Sequence, residues 1–182
     1  GHAWYTLVQA DDSSAGSNLR DHVEAALGEA IEAGNAVDVA LAQSGEQAQA
    51  LWGLRENISE AQRREGPSIK HDISLPVSAI PAFMRECAIA LGQAFPGARL
   101  VVFGHLGDGN LHYNLSPPAG IAHGDFLAHG DIANRIVHDL VAARGGSFSA
   151  EHGIDQLKRA ELARYKSPDE IDLMRRIKAA LD

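Results

Sequence analysis

The stretch Gly104-His105-Leu106-Gly107-Asp108-Gly109-Asn110-Leu111-His112-Tyr113-Asn114 constrains this chain more than any other. The apolar run Leu100-Val101-Val102-Phe103 leads in, and the alternating run Leu111-His112-Tyr113-Asn114-Leu115 leads out. Asp108-Gly109 between them favours a two-residue hairpin turn, because that turn needs positive φ at both central residues. Counting outward predicts Gly107 opposite Asn110, Leu106 opposite Leu111 and His105 opposite His112. The Cβ atoms of such a pair lie roughly 5 Å apart.

Strand parity then separates two faces. Val102, Gly104, Leu106, Leu111, Tyr113 and Leu115 share the side that reads as core. Phe103, His105, His112 and Asn114 share the other. Two imidazoles at this spacing can hold one metal ion, with Zn–N distances of about 2.0–2.1 Å. They can equally be half-buried polar residues that happen to pair. A four-residue loop keeps the pairing, whereas a loop of three or five destroys it.

At 182 residues the chain has the length of one ordinary domain. With 45% apolar and 22% charged residues it can build a sizeable core. A net charge of −8 leaves no electrostatic footprint for nucleic acid, and no Lys/Arg cluster suggests an anionic membrane. The single cysteine, Cys87, excludes an internal disulfide and fits a reducing compartment such as the cytoplasm. No apolar run approaches the ~20 residues that span a bilayer. Gly1-His2 reads as a vector-derived remnant, with the native N-terminus and any targeting signal lying outside the chain.

In chain order, Trp4 to Gln9 is rich in strand formers, and Ser17 or Asn18 caps a helix running to about Ala33. Val37 to Ala42 reads as a second strand. The Ser44-Gly45-Glu46-Gln47 box opens a long helix to about Arg64, with Leu51, Leu54 and Ile58 as its stripe and Arg55 and Ser59 sharing a face. Ser68 to Leu75 is expected to be a strand, with Lys70, Asp72 and Ser74 opposite Ile69, Ile73 and Leu75. A helix capped by Ser78 follows to Ala94, then the hairpin. Another helix runs from about Asp125 to Arg144, Ser147 to Ala150 forms a strand, and Ser167-Pro168-Asp169-Glu170 opens the last helix. The order β-α-β-α-β-α-ββ-α-β-α predicts an α+β fold, one mostly antiparallel sheet with helices packed on one face.

Beyond the hairpin, Glu151-His152 sets a carboxylate beside an imidazole. A straight strand would send them to opposite faces, so a joint role needs a bend, which Gly153 allows. With His105 and His112, Glu151 would complete a two-His-one-carboxylate set suited to zinc or another borderline ion. Arg55 offers bidentate donors to a carboxylate, or is an exposed helix arginine packed along its stem. Lys70 is an anion anchor or a solvated strand lysine. His22, His71, His123, His129 and His138 fit no constellation and read as surface or cap residues. Gly107-Asp108-Gly109 precedes a strand rather than a helix, so it is no nucleotide fingerprint.

Four blocks, Leu54-Arg55-Glu56, Lys70-His71-Asp72-Ile73-Ser74-Leu75-Pro76, Gly104 to His112 and Ser149-Ala150-Glu151-His152-Gly153, resemble one family in one order. They are similar to the C-terminal cap domain of the FAD-linked 2-hydroxyacid dehydrogenases and oxidases, the group acting on D-2-hydroxyglutarate, D-lactate and glycolate. The resemblance implies a ferredoxin-like cap fold and one substrate- and metal-binding domain over residues 1–182. It implies a divalent metal, zinc first, on His105, His112 and Glu151. It implies His152 as the base for the substrate hydroxyl, Arg55 and Lys70 as carboxylate binders, and Ser59 and Asn114 as further substrate contacts.

The same resemblance implies oxidation of a D-2-hydroxy acid to the 2-oxo acid, with FAD as the hydride acceptor. FAD would be held mainly by a separate domain of the same polypeptide, so these 182 residues alone are expected to be inactive. Expected partners are the hydroxy acid, that domain and an electron acceptor, with a homodimer allowed and mitochondrial or peripheral membrane placement compatible. Asp155 stands where the family often has glycine. The family's Asn-Pro-Gly-Lys-like tail is not reached by Asp182, which points to a piece of a longer enzyme. Two other readings compete: a metallohydrolase using the same His-His-Glu set, and a non-catalytic binding module.

Overall fold

The computed structural model describes residues 1–14, 16–154 and 158–181, and the chain divides into two compact units, Gly1–Glu65 and Gly66–Asp182. The first unit holds α1 (Leu19–Glu32), α2 (Gly45–Glu56) and α3 (Ile58–Glu65). Gly34, at φ 71°, ends the first helix, and the Ser44 hydroxyl caps α2 by accepting the Gln47 N–H at 3.3 Å. The long helix expected to reach Arg64 is broken at Asn57, where ψ flattens to −3°. Arg55 and Ser59 therefore sit on different helices, and Leu54, 74% exposed, leaves the expected apolar stripe.

Trp4–Gln9 and Val37–Ala42, expected as strands, are irregular. Strand propensity reports packing on a pleated surface, and among the described residues these segments have no ladder partner. Trp4, Tyr5, Val8 and Val37 are correspondingly exposed.

The second unit carries β1 (Asp72–Ser74), α4 (Ile80–Ala94), β2 (Arg99–His105), β3 (Asn110–Ser116), α5 (His123–Leu127), α6 (Gly130–Ala142), α7 (Arg159–Tyr165) and α8 (Pro168–Leu181). The three strands form an antiparallel sheet in the order β1-β3-β2. Ile73, Leu111, Tyr113 and Leu115 point from one face into a core completed by Phe83, Cys87 and Leu91 of α4 and Ala133, Val137 and Val141 of α6. Phe83 meets Tyr113 edge-on with ring centroids 5.4 Å apart. Burying each large apolar side chain contributes roughly 1.5–3 kcal/mol, so helices and sheet are joined along this seam. The fold is α+β, with α4 and α6 on one face of the sheet.

Local details differ from the pattern reading. Ser78 lies inside a 3-10 turn, Val77–Ala79, and no side chain caps α4. The helix expected from Asp125 to Arg144 is two helices, α5 and α6. Of the strand expected at Ser147–Ala150, only Ser147 bridges, to Ser74. At Ser167 the expected capping box is complete: Glu170 N donates to Ser167 Oγ at 3.2 Å, and Ser167 N to Glu170 Oε2 at 3.0 Å.

Candidate metal and substrate site

The hairpin register places Phe103 opposite His112 and His105 opposite Asn110, so the two histidines are not directly paired. The turn is the reason. Leu106–Asp108 form a 3-10 turn, Asp108 Oδ1 accepts the Asn110 N–H at 3.0 Å, and of the central pair only Gly109 takes positive φ, 73°. The Gly109 carbonyl also accepts the N–H of Leu75, just after β1, at 3.0 Å, and a Cβ on Gly109 would overlap the Leu75 carbonyl oxygen. The loop is thus four residues shifted by one, and the pairing slips by two. A slip of two keeps strand parity, so His105 and His112 still share a face, as diagonal neighbours.

The β1 register completes that face. Asp72 pairs with His112, Ser74 with Asn110, and the Ile69–Leu115 bridge puts Lys70 opposite Asn114. Lys70, Asp72, Phe103, His105, His112 and Asn114 therefore stand on the side away from α4 and α6. Lys70 and His105 are exposed there, whereas Asp72 and Asn114 are buried. Phe103 lies against the His112 ring at 4.9 Å.

Glu151 and His152 reach this face along the free edge of β1. Ser147 and Ser74 exchange N–H···O bonds of 2.8 and 2.9 Å, and Ala150 N donates to the Asp72 carbonyl at 3.1 Å. The next two peptide N–H groups, of Glu151 and His152, both donate to Asp72 Oδ2, at 2.8 and 2.9 Å. Gly153, at φ 71°, then turns the chain away. This is the expected bend, and it brings both side chains to one place. Glu151 Oε1 lies 3.5 Å from His105 Nδ1, and Oε2 lies 3.9 Å from His112 Nε2. The His152 ring stands 6.0 Å from that of His112.

Asp72 was not among the residues expected to act, although its parity with Lys70 was legible. Its Oδ1 accepts the Asn110 amide at 3.0 Å and lies 3.8 Å from His112 Nδ1. Burial raises its carboxyl pKa, but the N–H groups of His152 and Glu151 and the Asn110 amide outweigh that and hold it below the usual range.

Glu151 meets the two expected histidines through different oxygens, Oε1 towards His105 and Oε2 towards His112. Bonds of 2.0–2.1 Å at tetrahedral angles put ligand atoms about 3.3–3.4 Å apart, close to the 3.5 Å between His105 and Glu151 and a small contraction from the 3.9 Å between Glu151 and His112. Among the described residues, the group whose donor atoms all lie within 4.8 Å of one another is Asp72, His112 and Glu151, and His105 is not part of it. Asp72, however, already accepts three N–H groups, which suits it to orienting ligands rather than to being one.

A model of the family described as "FAD linked oxidases, C-terminal domain" matches residues 1–182. The chain belongs to that family. A D-2-hydroxyglutarate dehydrogenase of Xanthomonas citri pv. viticola is 39% identical over 182 residues, 100% of this chain and 38% of that protein. The D-2-hydroxyglutarate dehydrogenase of Stutzerimonas stutzeri is 40% identical over 152 residues, 84% of this chain and 32% of that protein. The mitochondrial enzyme of that name from Arabidopsis thaliana is 36% identical over 179 residues, 98% and 30% of the two chains. This FAD-linked oxidase domain thus spans less than two fifths of the length of these relatives.

Within the domain Arg55, in the last turn of α2, is half-buried, and Ser59, in α3, is exposed; both belong to the first unit. Among the described residues no glycine-rich loop leads from a strand into a helix, since Gly107 and Gly109 lie between β2 and β3. Asp155 lies outside the described residues. His71 and His138, taken as surface residues from the sequence, are buried, with rings 5.7 Å apart. His71 Nδ1 sits 2.8 Å from the Tyr113 carbonyl, and His138 Nδ1 is 3.0 Å from Glu161. Together they tie the sheet to α6 and α7. Among the described residues no helix is long and apolar enough to cross a membrane.

Proposed function

We propose that this chain is the substrate- and metal-binding part of an FAD-dependent dehydrogenase that oxidises a D-2-hydroxy acid to the 2-oxo acid. The observation that carries the reading is the Glu151 carboxylate set between His105 and His112 on the open face of a sheet. Family membership supplies FAD, and three relatives are named for D-2-hydroxyglutarate, which makes that acid the first substrate to try.

His105, His112 and Glu151 would hold the ion. A divalent ion held there would supply Lewis acidity beside the substrate's hydroxyl and carboxylate. Lys70 and Arg55 add positive charge for the substrate carboxylates, Arg55 in a bidentate fork. Asn114, buried and opposite Lys70, supplies amide donors, and Ser59 a hydroxyl. His152 takes the hydroxyl proton. Its Nδ1 faces Asp72 Oδ2 at 3.9 Å, which leaves Nε2 as the accepting atom.

The test is a dye-reduction assay of the full-length protein with a panel of D- and L-2-hydroxy acids, before and after chelation. Reduction with D but not L acids, lost on chelation and restored by zinc, is expected. No reduction with any D-2-hydroxy acid would overturn the proposal.

A further inference from the structure

We infer that Asp72 is a positioning residue: its carboxylate holds the Glu151–His152 turn by two peptide N–H groups and so aims both side chains at His112. The use of that turn rests on the proposed function; the hold itself does not.

Asp72 is the first residue of the three-residue edge strand β1, 4% exposed, with its backbone already committed to the ladder. An uncompensated charge buried there would be costly, and an apolar residue would serve the sheet equally well. Among the described residues the compensation comes from the Glu151–His152 turn and from Asn110 on β3. Oδ2 accepts the N–H groups of Glu151 at 2.8 Å and His152 at 2.9 Å, and Oδ1 accepts the Asn110 amide at 3.0 Å. Two consecutive peptide N–H groups on one oxygen form a small anion nest, which fixes the peptide planes on either side of the Glu151 Cα. The Glu151 and His152 side chains leave from those planes, so any rotation of the turn is passed to both. The same carboxylate faces one nitrogen of each neighbouring imidazole, His112 Nδ1 at 3.8 Å and His152 Nδ1 at 3.9 Å. The His112 ring thus presents its Nε2 to Glu151 Oε2, 3.9 Å away, with the His152 ring 6.0 Å from it. One buried anion sets the direction of a carboxylate and two imidazoles from elements 79 residues apart in sequence.

Asp72→Asn keeps the shape but swaps one acceptor oxygen for a donor, which must face either the two peptide N–H groups or the Asn110 amide. In the full-length protein three readouts apply. Hydrogen exchange of the Glu151 and His152 amides should be slow in the wild type and faster in the variant. Zinc Kd by chelator competition should rise about 10–100-fold, the usual effect of losing a ligand-orienting partner. With D-2-hydroxyglutarate, kcat should fall at least as steeply while KM changes little. Asn110→Ser, which loosens only Oδ1, should weaken zinc by a smaller factor and covers the case in which Asp72→Asn does not fold. A lowered Tm with unchanged zinc affinity and kcat would make Asp72 merely structural and overturn the inference, as would fast wild-type exchange at Glu151 and His152. If the wild type neither binds zinc nor oxidises the acid, the proposed function fails while amide exchange still reports on the hold.

Discussion

Phe103 packs on the His112 imidazole from the adjacent strand, with ring centroids 4.9 Å apart and planes inclined by 39°. His112 is held on that side by Phe103 and approached on another by Asp72, and only 17% of its side chain is exposed. His105 stands at the end of β2 with 51% of its side chain exposed.

This asymmetry predicts unequal ligands. A preorganised imidazole loses less rotamer freedom on binding an ion than a mobile one. His112→Ala should therefore raise the zinc Kd more than His105→Ala, by about tenfold, with the fold intact in both. Chelator competition on the two variants measures this directly; equal or reversed losses would show that the stacking does not preorganise the site.

Clamp and base should separate in the kinetics. A guanidinium holds a carboxylate but cannot accept its proton near neutral pH, so Arg55→Ala should mainly raise KM, losing about 1.5–3 kcal/mol. His152→Ala should mainly lower kcat, by about 10²–10⁴-fold. Steady-state kinetics on the full-length enzyme decide it, and near-native kcat in His152→Ala would refute the assignment of the base.

Cys87 gives a prediction about pH. Burial pushes its thiol up to about 12, against an ordinary value of about 9. The unfolded chain therefore ionises first. Stability from keeping the thiol neutral is fully present below pH 9 and is lost as pH rises from about 9 towards 12. Burial pushes the neighbouring Tyr113 hydroxyl up too. Urea midpoints at pH 8 and pH 10.5 should fall more in the wild type than in Cys87→Ala. At pH 8 iodoacetamide should label Cys87 only after unfolding. Ready labelling of the folded protein would contradict the burial.

Gly109 should be the least replaceable residue of the hairpin. Its φ of 73° strains any L side chain, and its carbonyl and Cα lie against Leu75. Gly109→Ala should cost about 2–4 kcal/mol, more than the left-handed conformation alone, because β1 must also move. Gly107→Ala, with open space around its Cβ, is the control. Denaturant unfolding of the two variants checks the difference.

Parity along the strands was legible in the sequence, because side-chain alternation is intrinsic to the extended chain. It placed Lys70, His105, His112 and Asn114 on one face correctly. Register was not, since it was set by Gly109 bonding to Leu75, a tertiary contact that the Asp-Gly signal does not carry. Asp72 escaped notice for a related reason: its role comes from peptide N–H groups, and every residue but proline has one of those. The strands expected at Trp4 and Val37 are irregular because no partner strand lies beside them among the described residues. α7 was missed, although its Arg135–Glu161 pair at 3.0 Å and Arg135–Tyr165 bond at 2.9 Å anchor it to α6.

The Glu151 N–H to Asp72 bond joins positions 79 apart, whereas the hairpin closes within a few residues. Loop-closure entropy makes the distant contact harder to form by roughly 2 kcal/mol. The chain can therefore complete its β2–β3 ladder while Glu151 and His152 are still searching. During synthesis the two histidines would emerge and pair up on their strands well before the third ligand arrives. Zinc captured in that interval would meet an incomplete coordination sphere, and its tight retention would mark the end of folding rather than its start.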